Sequence, residues 1–491
     1  MKSKFSKVLS ILLSVVLVIS SFYLLYQVIR LNVLPSKFLF PLTIGVVVLD
    51  AIFILLLIYF SKNVVSKIVC IVLTLFICVA SCMGGYYISK TQNVLSNITN
   101  VAKHAKNTVS VIVKESSSIK NKSQLNGVSV GSLRLNEQGS KKVLKELSSE
   151  GIVLNQTEYD SMTALLEAFY NGEVDSIIIN ESSRSQILDM EDYSNFDSNT
   201  RVVYQTSYKV KNNDSATSVS DITSKPFNVL ISGSDTRGGF DENGRSDVIM
   251  VATVNPKTHT ILLTSVPRDF YVTTACDAGD GCMQGALDKI THTGIHGTNT
   301  TKRTVEQLLG IEINYTFKVG FDTVTELVDV LGGVDVYVEP GYATTTSEFS
   351  VHEGVNHLNA QQALAFARER YSYTEGDRQR TKNQQQVLMG IVKEATKPSV
   401  ITNYAAIMDT MANTFSTTMS NEEITDLIKY QLNNNPTWKM EQYMVDGTGD
   451  TLMCAELGDA ASVMVPDQST VKMAKDKINA VLAGKSSEDV K

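Results

Sequence analysis

The sequence predicts an α/β protein in three parts: three N-terminal transmembrane helices, a small α/β accessory domain, and a larger mixed-sheet α/β domain. Three observations support this. Three long apolar stretches fill the first ninety residues, short apolar runs alternate with helical patterns from Val109, and the strand-like runs become more apolar from Phe227. We expect domains at residues 1–90, 91–225 and 226–482, with a disordered tail at 483–491.

Each of the three apolar stretches is long enough to cross a bilayer. Val8 to Ile29 and Ile68 to Ile88 contain no charged residue, and Phe38 to Phe60 contains only Asp50. A signal peptide would show one shorter apolar stretch and then a cleavage site, so the sequence predicts a retained anchor. Asp50 has two interpretations: a functional acid, or a carboxyl group that is protonated or paired with another helix.

The basic residues near the spans predict the orientation of the chain. Five lysines precede the first span or lie between the second and third spans, whereas the remaining loop carries Arg30 and Lys37. Cytoplasmic loops are enriched in Lys and Arg, so we expect a cytoplasmic N-terminus. The protein would then be a multi-pass cell-membrane protein whose main domains, after about Ser89, are extracellular.

The charge and cysteine content of the chain argue against two classes of function, nucleic-acid binding and a cysteine zinc site. A net charge of −7 argues against direct nucleic-acid binding, which needs a clustered basic surface. Cys276 and Cys282 bracket a short polar loop that could close as a disulfide in an oxidising exterior, but Cys454 leaves the pairing open. No CxxC pair occurs, which argues against a cysteine zinc site.

The extramembrane part divides at a Ser-, Thr- and Asn-rich stretch, KVKNNDSATSVSDITSK, that is typical of a linker. The accessory segment, Val109 to Val210, precedes it. After it, FNVLIS, DVIMVATV and TILLTSV predict buried strands. KRTVEQLLG, FDTVTELVDVL and LNAQQALAFARER predict helices, the last with Asn359 as N-cap.

Charged residues collect at the ends of these predicted elements. Asp235 follows FNVLIS, Arg245 and Asp247 flank the start of DVIMVATV, and Arg268 and Asp269 follow TILLTSV. The ends of neighbouring strands can meet at one rim of a sheet. The sequence contains no GxxxxGK[ST] loop, HExxH or GxSxG motif, so the common hydrolase and nucleotide-binding signatures are absent.

A second polar group lies in ARERYSYTEGDRQRTKNQQQ. Arg368 and Arg370 end one predicted helix, and Asp377, Arg380 and Gln384 recur at i, i+3 and i+7, which places them on one helix face. Arginine forks bind phosphate oxygens in bidentate fashion, and aspartates provide the oxygen ligands that Mg²⁺ prefers. The pattern therefore indicates a phosphate and metal site, with a solvated charged helix face as the equal alternative.

The strings SGSDTRGG, RSDVIMVATVNP, ILLTSVPRDFYV, DKITHTGIHG and LVDVLGGVDVYV, together with the arginine-rich string above, closely resemble the LytR-CpsA-Psr family over residues 227–396. With its three spans and accessory domain, the whole chain resembles the capsule-associated CpsA type of that family. The resemblance implies a membrane-anchored transferase that moves a glycopolymer, capsular polysaccharide or a teichoic-acid-like polymer, from an undecaprenyl-pyrophosphate carrier to peptidoglycan.

The resemblance also implies roles for individual residues. Asp235 and Asp247 match acidic positions near Mg²⁺ (or Mn²⁺), and Asp235 would hold the metal or accept the proton of the incoming hydroxyl. Asp235, Arg268 and Asp247 are thus the candidate catalytic residues. The candidate pyrophosphate-binding residues are Arg245, Arg268, Lys289, Arg368, Arg370, Asp377, Arg380 and Gln384.

Two further patterns have competing interpretations. His292 and His296 could form a metal pair at i, i+4, but the intervening Gly294 and the family pattern favour a structural role. The apolar face of one helix, Val324, Leu327, Val328 and Leu331, could line a tunnel for the lipid, although ordinary core packing is favoured.

Other functions remain open at the level of sequence. The chain could instead regulate capsule synthesis or transcription by binding, as the attenuator label of some family members implies, or its accessory segment could bind capsule-synthesis proteins. The predicted topology argues against DNA contact, because only a few residues and the loop from Ser61 to Lys67 would be cytoplasmic. The acceptor sugar and the type of bond formed, phosphodiester or glycosidic, are also open.

Overall fold

The computed structural model describes residues 2–60, 63–101, 104–211, 216–234, 242–277, 281–397, 406–407, 410 and 415–490. The chain forms two compact units. The first comprises Met1–Asn97, Ala395–Ala412 and Ser420–Pro436, and the second comprises Ile98–Glu394, Asn413–Met419 and Thr437–Lys491.

The first unit contains three helices that are long and apolar enough to cross a membrane. They are α1 (Lys2–Leu31), α2 (Ser36–Leu55), which continues as a π-helical turn over Leu56–Phe60, and α3 (Val64–Val101). This confirms the predicted membrane anchor. The third helix runs beyond the predicted end at Ile88, because the polar residues that follow include no proline or glycine that would stop it.

Asp50 of α2 is paired with another helix of the same unit. The Ser21 hydroxyl on α1 donates a hydrogen bond to Asp50 Oδ1 at 2.9 Å. This is the helix-paired arrangement that the sequence offered as the alternative to a functional acid.

The accessory domain is built on a five-stranded mixed sheet with the order β3-β2-β4-β1-β5. β2 pairs in parallel with β3 and β4, while β1 pairs antiparallel with β4 and β5. The elements are β1 (His104–Lys114), β2 (Ser129–Leu133), α4 (Glu137–Ser149), β3 (Asn155–Tyr159), α5 (Met162–Asn171), β4 (Ser176–Asn180), α6 (Arg184–Asp189), α7 (Phe196–Asn199) and β5 (Thr200–Lys211). Helices cover both faces, because the central strands β1 and β4 carry apolar residues that pack against α5 on one side and against α4 on the other.

The larger domain contains a six-stranded mixed sheet with the order β16-β11-β6-β7-β8-β17. Its strands are β6 (Phe227–Ser234), β7 (Ser246–Asn255), β8 (Thr260–Ser265), β11 (Tyr315–Gly320), β16 (Phe415–Thr417) and β17 (Lys439–Met444). β6, β7 and β8 are antiparallel neighbours, whereas β11 runs parallel to β6 and β17 parallel to β8. The predicted mixed-sheet α/β fold is therefore confirmed.

Short strand pairs and helices complete this domain. The remaining strands are β9 (Tyr271–Thr273), β10 (Leu287–Lys289), β12 (Val334–Val338), β13 (Thr344–Thr345), β14 (Ser350–Val351), β15 (Gly354–Leu358), β18 (Gly447–Cys454) and β19 (Asp459–Pro466). The helices are α8 (Thr298–Leu309), α9 (Phe321–Leu331), α10 (Ala360–Arg368), α11 (Asp377–Ala395) and α13 (Gln468–Leu482), and α12 (Asn421–Asn434) belongs to the first unit.

The four apolar residues of α9 pack as core residues. Val328 is fully buried, and Val324, Leu327 and Leu331 pack against the same cluster, which includes Phe366 of α10. The hydrophobic effect therefore accounts for their spacing, as the favoured interpretation held.

The cysteine pairing that the sequence left open is settled by the structure. Cys276 and Cys282 form a disulfide, while Cys454 is a buried free thiol.

The C-terminal tail is ordered up to residue 490, so the prediction of a disordered tail was wrong for these residues. Ser487 is buried, and its backbone N–H donates to Glu441 Oε2 at 2.8 Å, so a buried carboxylate holds the tail against the sheet.

Candidate functional site

The antiparallel order of β6, β7 and β8 brings the polar strand ends to one rim of the sheet. Ser234 at the end of β6 pairs with Ser246 at the start of β7, and Ser265 at the end of β8 pairs with Met250. Asp247 and Arg268 therefore lie on the same rim, as the sequence predicted.

A small pocket opens at this rim, between the strand ends and the first turns of α11. Five residues singled out in the sequence line it together: Asp247, Arg268, Asp377, Arg380 and Gln384. Val248, Ile249, Met250, Val266 and Thr381 complete the lining. The i, i+3, i+7 pattern of α11 thus faces the strand ends instead of solvent.

Asp247 is the carboxylate around which the strand-end arginines gather. Arg268 Nη1 donates to Asp247 Oδ1 at 2.8 Å, Arg245 Nε lies 3.9 Å from the same oxygen, and the Thr291 hydroxyl lies 3.5 Å from it. The Asp247 side chain is only 10% exposed. A carboxylate this buried requires compensating charge, which the two arginines provide.

Three arginines of the site each keep a buried donor without a partner. Among the described residues, no hydrogen bond is made by the Nε atoms of Arg245, Arg268 and Arg380, although all three atoms are buried. An unpaired buried N–H costs about 1–3 kcal/mol. Three such donors, two at the rim of the sheet and one on α11, are the expected signature of a site that binds an oxyanion.

The charges of the site influence one another. Although burial opposes it, the carboxylates of Asp247 and Asp269 raise the pKa of Arg268. Burial lowers the pKa of Arg380; Asp377 opposes this effect, while the positive charges of Arg268 and Arg370 add to it. Crowded guanidinium groups repel one another, so a bound anion would relieve that repulsion.

The other predicted binding residues lie outside the pocket lining. Arg370, after α10, is close enough to affect the pKa of Arg380, and its Nη2 donates to the Tyr371 hydroxyl at 2.6 Å. Lys289 Nζ lies 3.3 Å from Asp269 Oδ1, which connects it to Arg268. Arg368 is exposed at the end of α10.

Asp235, the predicted metal ligand or base, lies outside the described residues. Within the described ranges, no three His, Cys, Asp or Glu side chains are grouped so that they could hold a metal ion. Asp247 and Asp377 nevertheless supply two carboxylates to the pocket. Mg²⁺ is usually held by one or two carboxylates together with substrate phosphates, so this donor set fits a metal that binds with its substrate.

The two histidines belong to a separate buried network. His292 Nδ1 lies 2.7 Å from Asp288 Oδ1, and His296 Nε2 lies 2.9 Å from Glu456 Oε2. Asp288 also accepts the backbone N–H groups of Lys289 and Glu456, each at 2.7 Å. The two histidines bond to different carboxylates, and His292 binds Asp288 on β10, next to Lys289. This is the structural role favoured from the sequence.

Sequence reasoning missed two residues of the site. Asp189 of the accessory domain forms an ion pair with Arg245 Nη1, and Thr291 approaches Asp247. No sequence signal indicated Asp189, because the accessory sheet and the larger domain meet only in the folded chain. Thr291 lies within the DKITH string and could have been proposed from it.

The part of the chain that contains this site is similar to known proteins. Residues 193–480 match the model of the LytR_cpsA_psr family. The polyisoprenyl-teichoic acid–peptidoglycan teichoic acid transferase TagU of Bacillus cereus (strain AH820) is 32% identical over 240 residues, covering 48% of this chain and 75% of that protein. TagU of Bacillus subtilis (strain 168) is 34% identical over 203 residues, covering 41% of this chain and 63% of that protein.

Two solved structures each match about half of this chain. The crystal structure of B. subtilis TagU is 28% identical and covers 52% of this chain and 97% of that chain, with a TM-score of 0.41. The crystal structure of protein gbs0355 from Streptococcus agalactiae is 25% identical and covers 53% of this chain and 89% of that chain, with a TM-score of 0.45.

Proposed function

This chain belongs to the LytR-CpsA-Psr family, and from that premise we propose that it is a membrane-anchored transferase that moves a glycopolymer from a polyprenyl-pyrophosphate carrier to peptidoglycan. The TagU relatives are named for a transfer of this kind. The glycopolymer is capsular polysaccharide or a teichoic-acid-like polymer. The N-terminus is cytoplasmic, so that the site acts outside the cell.

One observation carries the proposal: the buried, unpartnered Nε–H groups of Arg245, Arg268 and Arg380 beside a single pocket. A pyrophosphate offers acceptor oxygens on two adjacent phosphorus atoms, which several guanidinium groups can bind at once. The pocket also lies at the N-terminal end of α11, a helix of 19 residues, where the helix dipole favours an anion.

These side chains address the chemical difficulty of the transfer. The acceptor hydroxyl attacks phosphorus or the anomeric carbon, and the departing group is polyprenyl phosphate in the first case and polyprenyl pyrophosphate in the second. In both cases negative charge grows on phosphate oxygens. Arg268 and Arg380 would hold those oxygens, and fixed donors in a poorly solvated pocket stabilise such charge without reorganisation.

Asp247 has two roles in this scheme. It orients Arg268 through the 2.8 Å hydrogen bond, and with Asp235 it would hold Mg²⁺ or Mn²⁺. When bound, the metal would supply further positive charge to the phosphate oxygens. Asp235 is the proposed proton acceptor or metal ligand.

A transfer assay tests the proposal. Full-length protein in detergent is mixed with lipid-linked glycopolymer, peptidoglycan and Mg²⁺, and polymer bound to the wall is measured. We expect Arg268→Ala to abolish transfer, while Arg378→Ala, which changes an exposed arginine of the same helix as Arg380, keeps it. Equal transfer by the wild type and Arg268→Ala would reject the proposal. A folded wild type that transfers nothing would favour the regulatory function instead.

A further inference from the structure

An aspartate of the accessory domain reaches the candidate site of the larger domain. Asp189, the last residue of α6, places Oδ2 against Arg245 Nη1. The Arg245 side chain is 14% exposed and that of Asp189 is 60% exposed. Among the described residues, Asp189 is the only side chain that accepts a hydrogen bond from Arg245.

The contact leaves the Nε edge of the Arg245 guanidinium group without a hydrogen bond, with Asp247 Oδ1 3.9 Å from Nε. In arginine, the Nε–H and one N–H of Nη2 point along the same edge, and Nη1 lies at the opposite end. Asp189 uses Nη1, and the buried Nε has no hydrogen-bond partner. This Nε edge is the one that binds phosphate side-on through two parallel hydrogen bonds.

The same arrangement occurs at the neighbouring arginine. Arg268 also gives Nη1 to an aspartate, Asp247, and also keeps a buried Nε without a partner. Both arginines therefore donate Nη1 to an aspartate and make no hydrogen bond at Nε, although a carboxylate oxygen lies 3.9 Å from Arg245 Nε and 3.7 Å from Arg268 Nε. The difference is that the aspartate holding Arg245 comes from the accessory domain.

Packing between the two domains fixes Asp189 in place. Its neighbour Met190 packs against a cluster of Cys454, Leu457 and Val463 in the larger domain. The backbone N–H and the hydroxyl of Thr163, on α5, both donate to Leu457 O at 3.1 Å. The α6 end is thus held next to β7 and not left to move freely.

A second contact holds the chain just before Arg245. Lys106 Nζ of β1 lies 3.1 Å from Glu242 Oε1, and the Thr108 hydroxyl donates to the same carboxylate oxygen. Glu242 precedes Arg245 by three residues and is itself buried. The accessory domain therefore supports Arg245 both through its side chain and through the segment that leads to it.

We propose that Asp189 is a positioning residue, through which the accessory domain orients Arg245 for the pyrophosphate of the donor. The inference rests on the proposed function, because its ligand is the same pyrophosphate. The negative charge of Asp189 also repels a phosphate, but solvent screens a side chain this exposed. Orientation of the buried guanidinium outweighs that repulsion, so removal of Asp189 weakens binding.

The test is a double-mutant cycle on the full-length protein in detergent, with geranyl pyrophosphate as the probe and calorimetry as the measurement. We expect Asp189→Ala to weaken binding about tenfold, and to have less than about a twofold effect once Arg245→Ala is present. Asp189→Glu should recover most of the affinity. Asp192→Ala removes an exposed charge three residues away and should bind like the wild type.

The other outcomes overturn the inference in distinguishable ways. If Asp189→Ala binds as tightly as the wild type, or more tightly, while Arg245→Ala and Arg268→Ala are weakened, Asp189 does not position Arg245 and the proposed function stands. Additive losses in the cycle would assign Asp189 a general structural role. If the wild type does not bind the probe, both proposals fail. Asp189→Asn, which preserves side-chain volume, is measured in parallel in case Asp189→Ala does not fold.

Discussion

Replacement of Arg268 by lysine separates the geometry of the guanidinium from its charge. Arg268 donates to Asp247 at 2.8 Å through Nη1 and keeps its buried Nε for the ligand. A lysine retains the positive charge that Asp247 requires. Its single ammonium group cannot reproduce the planar fork that makes both contacts.

The expected loss follows from one charge-assisted hydrogen bond. Such a bond contributes about 1.5–3 kcal/mol, which corresponds to about a ten- to 150-fold weaker affinity for pyrophosphate. Stability should change little in Arg268→Lys, because Asp247 remains paired. In Arg268→Ala the buried carboxylate would keep, among the described residues, Arg245 at 3.9 Å and Thr291 at 3.5 Å. We expect a loss of about 2–3 kcal/mol of stability.

The assay is calorimetric titration of the full-length protein with geranyl pyrophosphate, accompanied by thermal unfolding. Arg378→Lys is the matched control, because Arg378 also donates to an aspartate, Asp446, at 2.8 Å, but its side chain is 43% exposed and outside the pocket lining. Wild-type affinity in a folded Arg268→Lys would refute the reasoning, and so would an equal loss in Arg378→Lys.

Two further predictions concern the support of the site and the C-terminal segment. Gly294→Ala should lower stability by about 1–3 kcal/mol and should also weaken pyrophosphate binding in the same titration. The reason is that a Cβ at this position would lie 2.6 Å from Ser246 N at the start of β7. Unchanged stability and unchanged affinity would show that this contact relaxes freely. Burial would raise the pKa of Glu441, but hydrogen bonds from Lys439, Ser487 and Ser486 lower it to about 2. The ionised Glu441 carboxylate therefore stabilises the fold above its ordinary pKa of about 4.5, and this stabilisation is lost as the pH falls from about 4.5 towards about 2. Glu441→Gln should flatten the pH dependence of thermal unfolding between these pH values. An unchanged pH profile in Glu441→Gln would contradict this prediction.

The fold was largely predictable because its signals are local. Uncharged stretches of some twenty residues predict membrane helices, and runs such as FNVLIS and TILLTSV predict buried strands, irrespective of the rest of the chain. The C-terminal tail shows the limit of this reasoning. Ser486 and Ser487 resemble a disordered sequence, yet they are ordered by Glu441, a carboxylate more than forty residues away.

The candidate site also contains some residues that local sequence patterns indicate and others that depend on how distant parts of the chain pack. The spacing of Asp377, Arg380 and Gln384 places them on one helix face, and the polar strand ends place Asp247 and Arg268 on one rim. That the two groups form one site was implied by the family resemblance and not by the local spacing. Local spacing alone does not show that Arg368 is exposed at the end of α10. Nor can it reveal Asp189, whose contact with Arg245 depends on how two domains pack.

The most direct test of the central claim is the lipid that the protein carries. Full-length wild type, Arg268→Ala and Arg378→Ala are purified from cells that make lipid-linked glycopolymer, and the extracted lipids are identified by mass spectrometry. We expect polyprenyl phosphate or pyrophosphate with the wild type and with Arg378→Ala, and its loss from Arg268→Ala. Folded wild type without such lipid, or equal amounts in Arg268→Ala, would contradict the assignment of this pocket to the carrier pyrophosphate.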